Sequence, residues 1–151
     1  MTTEAKRIDI LPISVDDAEA VAQLSGELGY PTDAACMAQR IADVISAAGQ
    51  TAFVAHMVPE VVGWIEVSIS FHLQSEPHAL IGGLVVRSDV RSLGIGAALC
   101  DRAEEWARDQ EMKIIRVRSQ IARLNAHKFY ERQGYRQTKS SAVFEKALGT
   151  Q

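Results

Sequence analysis

The period of the hydrophobic pattern switches repeatedly along the chain between two and about 3.6 residues, the signatures of half-buried strands and amphipathic helices. Residues 7–13 alternate into a strand carrying Ile8, Ile10 and Leu11. Ser14 followed by Asp17 reads as an N-cap with an acidic first turn, and Ala18, Val21, Ala22, Ser25 and Leu28 then recur at helical spacing. Gly29, Tyr30 and Pro31 break that helix, and Thr32 is the expected cap of a second. The inward face of the second helix would be Met37, Ile41, Val44, Ile45 and Ala48, closed by Gly49. Strands are expected at 51–57, 61–71 and 78–87, separated by a turn at Pro59-Glu60 and a polar loop containing Pro77. A helix over 93–111 places Ile95, Leu99, Ala103 and Trp106 on one face. A β-branched strand at 113–119, a short helix at 123–133 and strands at 134–138 and 142–146 complete the pattern. The order βααβββαβαββ predicts an α/β fold, a mixed sheet of about seven strands with helices on both faces.

A chain of 151 residues is the size of one domain, so a single domain over 1–151 is expected, with frayed tails at 1–6 and 148–151. It can bury a core without metal or disulfide staples. The formal net charge of −3 provides no global basic field, so neither nucleic acid nor an anionic membrane is an expected partner. Any anionic ligand needs a local device. Cys36 and Cys100 lie in helical patterns without CxxC spacing and read as buried reduced thiols rather than a disulfide or zinc site. With no apolar stretch of about 18 residues and no signal-like leader, a cytoplasmic location is expected.

The fourth strand supplies that local device. Leu84-Val85-Val86 runs through Arg91, Ser92 and Leu93 into Gly94-Ile95-Gly96-Ala97, where the long helix begins. Glycines let backbone approach a ligand closely, and a helix start offers unpaired N–H groups and partial positive charge. A bare tight turn would use the same glycines. Two other phosphate motifs are absent: Leu99 stands where a dinucleotide fingerprint has its third glycine, and no GxxxxGK[ST] occurs.

Leu-x-Val followed by Arg-x-x-Gly-x-Gly resembles the acyl-CoA-binding motif of the GNAT superfamily of N-acetyltransferases. The second half of that family's pattern also stands here, from Arg123 through Ala126, His127 and Tyr130 to Gly134-Tyr135. That ending and Phe71-His72-Leu73 look most like the aminoalkylphosphonate and aminoglycoside N-acetyltransferase branches. The resemblance implies acetyl-CoA as cosubstrate, with the pantetheine arm added as a strand along Leu84, Val85 and Val86. It implies a pyrophosphate site over Arg91, Ser92, Leu93, Gly94, Ile95, Gly96 and Ala97. Arg123 stands where many members carry an asparagine touching the coenzyme arm, and its side chain could reach a phosphate instead. Tyr130 matches the family tyrosine that protonates the departing thiolate, a role that suits a phenol of ordinary pKa near 10. The alternative for Tyr130 is a core aromatic, and for His127, three residues earlier, either a proton relay, a coenzyme contact or a surface histidine.

Many relatives carry a glutamate one or two residues before the Leu-x-Val as general base, and here Gly82 and Gly83 occupy those positions. Substitute bases are Glu66, which alternation places on one face with Trp64, Ser68, Ser70 and His72, and the histidines His72 and His78 flanking the neighbouring loop. The glycine pair itself suggests a bulge or room for a bulky acceptor. No metal is expected. The implied reaction is transfer of an acetyl group to a primary amine of a small molecule in a ternary complex. A silent acyl-CoA-binding module and a protein or peptide N-acetyltransferase are the alternatives, and a homodimer is compatible with the family.

Overall fold

The computed structural model describes residues 7–119 and 123–149, so the predicted tail 1–6 and residues 150–151 of the predicted C-terminal tail lie outside the described residues. Contacts divide the chain into two compact units with the boundary after Arg118.

The larger unit contains β1 (Ile8–Pro12), a 3-10 turn (Val15–Asp17), α1 (Ala18–Glu27), α2 (Ala34–Ser46), β2 (Gln50–Met57), β3 (Glu60–His72), β4 (Ser75–Val86), a second 3-10 turn (Ser88–Leu93), α3 (Ile95–Asp109) and β5 (Ile115–Val117). The strands form one sheet in the order β1-β2-β3-β4-β5. The first three pairings are antiparallel, and β4 with β5 is parallel. The α3 crossover between β4 and β5 is what permits the parallel pair.

Both faces of this sheet are covered, as the pattern predicts. Ala18, Val21 and Ala22 of α1 and Met37 and Ile41 of α2 cluster with Ala52 and Val54 of β2, and Trp64 packs against them. On the opposite face, a Cβ added at Gly63 would lie 2.9 Å from the Val85 carbonyl oxygen, 3.2 Å from Leu99 and 3.4 Å from Ile95 of α3. Helix and sheet approach closely there because β3 carries no side chain at that point. Ser14 is the predicted N-cap, and with Asp17 it closes a capping box: its hydroxyl accepts from the Asp16 amide at 3.1 Å, and its own amide donates to the Asp17 carboxylate at 2.9 Å.

Four local expectations change. The cap of α2 is Asp33, whose carboxylate accepts from the Cys36 amide at 2.7 Å, rather than Thr32. Ile45 and Ala48, placed on the inward face of the second helix, are exposed: α2 ends at Ser46, so Ile45 stands in its last turn and Ala48 beyond it, past the cluster that buries Met37 and Ile41. Pro77 lies inside β4 rather than in a loop, where the register between Ser70 and His72 of β3 is irregular. A bulge is the place where a strand tolerates proline. The two cysteines differ in environment: Cys100 is fully buried on α3, whereas Cys36 is exposed in the first turn of α2. Burial pushes the Cys100 thiol up to about 12, helped by Glu104 and Asp101. Native protein at pH 8 should therefore react with one equivalent of a thiol reagent through Cys36, and with a second only after unfolding; two fast equivalents in the native state would contradict this burial.

The smaller unit, from residue 119 on, contains α4 (Leu124–Arg132) followed by coil. The strands predicted at 134–138 and 142–146 are absent, so the sheet has five strands and not seven. Alternation of apolar and polar residues describes how side chains would be shared between two faces, but a strand also needs a neighbouring ladder, and among the described residues of this unit there is none. Val143 and Phe144 are accordingly exposed.

Candidate functional site

The C-terminal half of β4 is the feature around which the site is built. Parallel pairing with β5 runs only through Ala79, Leu80 and Ile81, whereas pairing with β3 continues to Val86. From Gly82 to Val86, the β5-side edge of β4 carries no strand partner among the described residues. An unpaired strand edge is a template for an extended ligand that can add main-chain hydrogen bonds. Leu84 and Val86 on this stretch are half-buried, and Val85 is buried.

The chain leaves β4 at Arg87, whose amide donates to the Val62 carbonyl at 2.8 Å. Its guanidinium is held by Asp89 and Glu60, which keep it charged above its ordinary range. Arg91 is different. Its Nε donates to the Val86 carbonyl at 3.2 Å, which roots an exposed cation at the mouth of the turn. Ser92 and Leu93 are exposed, and Gly94 follows with φ 81°, the left-handed conformation that favours glycine. Gly94 caps α3 without a side-chain hydrogen bond, and the first helical bond from this cap is Ala98 N–H to the Gly94 carbonyl. The amides of Ile95, Gly96 and Ala97 thus precede the intrahelical ladder at the positive end of a helix running to Asp109. This arrangement suits an anion joined to an extended arm.

The glycine pair of β4 has a definite surrounding. Glu66 pairs with Gly83 and Val67 with Ile81, which leaves Gly82 as the extra residue of a β-bulge. A Cβ at Gly82 would lie 2.5 Å from Glu66 Oε2, and one at Gly83 would lie 2.7 Å from the Trp64 ring. Side chains of β3 therefore cover the places that β4 leaves empty. The Trp64 indole Nε1 is buried with no hydrogen-bond partner among the described residues. Glu66 Oε1 accepts from Gln50 Nε2 at 2.7 Å. Gln50 is the residue that sequence reasoning missed, since it meets Glu66 only through the β2–β3 register that pairs it with Ser68.

The two candidate histidines stand apart from Glu66. His72 and His78 stack at 5.9 Å, with His78 buried opposite Ser70 and its Nδ1 3.1 Å from the Glu76 carbonyl. Ser70 is four positions beyond Glu66, roughly 13 Å along an extended strand. Among the described residues, no cluster of three or more His, Cys, Asp or Glu could hold a metal ion. Nor is any described helix long and apolar enough to cross a membrane.

In the smaller unit Tyr130 is half-buried on α4, edge-to-face with Phe129 at 5.3 Å and with Tyr135 at 5.9 Å. Gly134, at φ 93°, ends the helix: its amide donates to the Glu131 carbonyl, and the Tyr135 amide donates to the Tyr130 carbonyl at 3.0 Å. This is a Schellman stop with its usual apolar contact, here Tyr135 on Tyr130. Within this unit the Gly134-Tyr135 pair serves to end the helix and hold the Tyr130 ring. Arg123 is exposed at the N-cap of α4, and His127 is half-buried one turn on.

The sequence matches the acetyltransferase (GNAT) family over residues 18–135. It is 41% identical over 93 residues to an aminoalkylphosphonate N-acetyltransferase of Salmonella typhimurium, across 59% of this chain and 57% of that protein. The matched segment thus spans little more than half of that relative. Two solved structures share the fold. An aminoglycoside 6'-N-acetyltransferase from Acinetobacter baumannii superposes with a TM-score of 0.82 at 22% identity, over 95% of this chain and 100% of the other. An aminoglycoside N-acetyltransferase solved in complex with CoA gives 0.86 at 15% identity, over 98% and 100%.

Proposed function

The chain belongs to the GNAT acetyltransferase family, and from that premise we propose that it transfers an acetyl group from acetyl-CoA to the primary amine of a small molecule. The observation that carries the reading is the unpaired edge of β4 running into the Arg91 to Ala97 turn at the start of α3. Leu84, Val85 and Val86 would hold the pantetheine arm by main-chain hydrogen bonds. The amides of Gly94 to Ala97, with Arg91, would hold the pyrophosphate. Acetyl-CoA supplies the activated acyl group, and the protein supplies orientation and proton transfer.

Tyr130 is the proposed general acid. The attacking nitrogen forms a bond to the thioester carbonyl carbon, the carbon–sulfur bond breaks, and the Tyr130 hydroxyl gives its proton to sulfur. The proton that the acylated nitrogen sheds restores the phenol. Likeness to the aminoalkylphosphonate relative supports a small-molecule acceptor, and a phosphonate or sugar amine is the class to try first.

The test is steady-state thiol release from acetyl-CoA with aminoalkylphosphonates, aminoglycosides, polyamines and peptides as acceptors. Turnover with at least one small amine, at higher kcat/KM than with any peptide, is the expected result. Coenzyme binding without turnover on any amine would mark a silent acyl-CoA-binding module, and superior peptides would mark a protein acetyltransferase.

A further inference from the structure

We propose that Glu66 is the general base that deprotonates the acceptor ammonium, reaching from β3 into the space that Gly82 leaves on β4, and that Gln50 positions its carboxylate. The proposal rests on the acetyl-transfer reading. A base is needed near the start of Leu84–Val86, and β4 offers none at that point, because Gly82 and Gly83 precede the segment and His78 stands four residues before them. The missing side chain is replaced in space. A Cβ on Gly82 would lie 2.5 Å from Glu66 Oε2, closer than a real Cβ tolerates, and in tight contact with Cδ and Oε1 at 3.1 Å and 3.2 Å, so all three carboxyl atoms cover that site. The bulge at Gly82 accounts for this placement, since bulges re-aim what lies beside them.

Gln50 from β2 then fixes one carboxylate oxygen, at 2.7 Å, and leaves the other toward Gly82. The remaining residues paired or flanking on this face, Ala52 and Val54 of β2, Trp64 and Ser68 of β3 and Gly83 of β4, carry no titratable group. His78 belongs four positions away, opposite Ser70. On the helices that cover this face the charged residues Glu19 and Glu27 of α1 and Arg40 and Asp43 of α2 are exposed, which leaves the half-buried Glu66 as the titratable group of the glycine window.

The step balances simply. Glu66 takes one proton from the bound ammonium, directly or through a water, and later returns it to solvent. The freed lone pair attacks the thioester carbon. Of the three ammonium protons, one leaves by Glu66, one ends on the coenzyme thiol by way of Tyr130, and one stays on the amide.

The experiment uses the full chain and the best amine found above, with coenzyme A affinity and thermal melting measured on every variant. Glu66→Gln should lower kcat by roughly 10²–10⁴ and abolish the acidic limb of the kcat profile, while coenzyme affinity stays unchanged. Gln50→Ala should lower kcat by roughly 10–10² with little change in the KM for acetyl-CoA. Gln50→Glu should move the acidic limb to higher pH, because a second carboxylate opposes ionisation of the first; a merely structural glutamine would alter melting without moving that limb. Gly82→Ala should slow the enzyme by displacing Glu66 yet have no further effect in a Glu66→Ala background. In that background Gly82→Glu should recover part of the lost rate by returning a carboxylate to β4. An active wild type matched by Glu66→Gln in kcat and pH profile overturns this assignment alone. A wild type that binds coenzyme A and turns over no amine overturns the transfer reading, and this assignment with it.

Discussion

Replacing Tyr130 by phenylalanine is expected to lower kcat by roughly 10²–10⁴ while leaving coenzyme A affinity within about twofold. The substitution removes one oxygen and little else. The helix stop at Gly134 uses the backbone carbonyl of residue 130, and the contacts with Phe129 and Tyr135 use its ring, so both persist in the variant. What the proposed chemistry loses is the proton for the departing sulfur. Initial rates at saturating acetyl-CoA and amine, set beside calorimetric binding of coenzyme A, separate the two quantities. A kcat near that of the wild type would remove Tyr130 from the chemistry and return it to the role of a packed aromatic.

The second large effect concerns binding. Gly96→Val should weaken coenzyme A affinity past about 1 mM, the weak end of specific recognition. Gly96 is buried in the first turn of α3, between the amides of Ile95 and Ala97. A branched side chain there would block the close approach of an anion to those amides. Because the position is buried, the fold needs an independent check. Gly96→Ala adds only a methyl group and should melt cooperatively while still binding more weakly than the wild type. Unimpaired affinity in a folded Gly96→Val protein would place the phosphates elsewhere.

Much of this arrangement was legible in the chain because it is local. The Ser14 capping box, Gly49 after α2, and the glycine turn before α3 each depend on residues a few positions apart, and their side-chain chemistry specifies the backbone they adopt. The same holds for the separation of Ile65 and Val67 from Trp64 and Glu66, since a period of two assigns faces without knowledge of any partner strand. Register is not local. Alternation put Glu66 on the correct face of β3 but could not disclose that it stands beside a bulge at Gly82, or that Gln50 reaches it from β2. The strands expected at 134–138 and 142–146 are absent for a related reason: an alternating pattern makes a segment able to pair but does not supply its partner. At Cys36, helical periodicity suggested burial, but the first turn of α2 turns that residue toward solvent beside its Asp33 cap.

The gap at Gly63 has a consequence beyond packing density. The residues that would press on a side chain there, Ile95 and Leu99, belong to the first two turns of α3, the helix whose opening amides form the proposed phosphate cradle. The height of that cradle above the end of β4 is therefore set from the back of the sheet, by a glycine that touches no ligand. On the proposed reading, recognition of a polyanionic coenzyme would be calibrated by an apolar contact, and a shift in that contact would retune affinity without altering any group that touches the ligand.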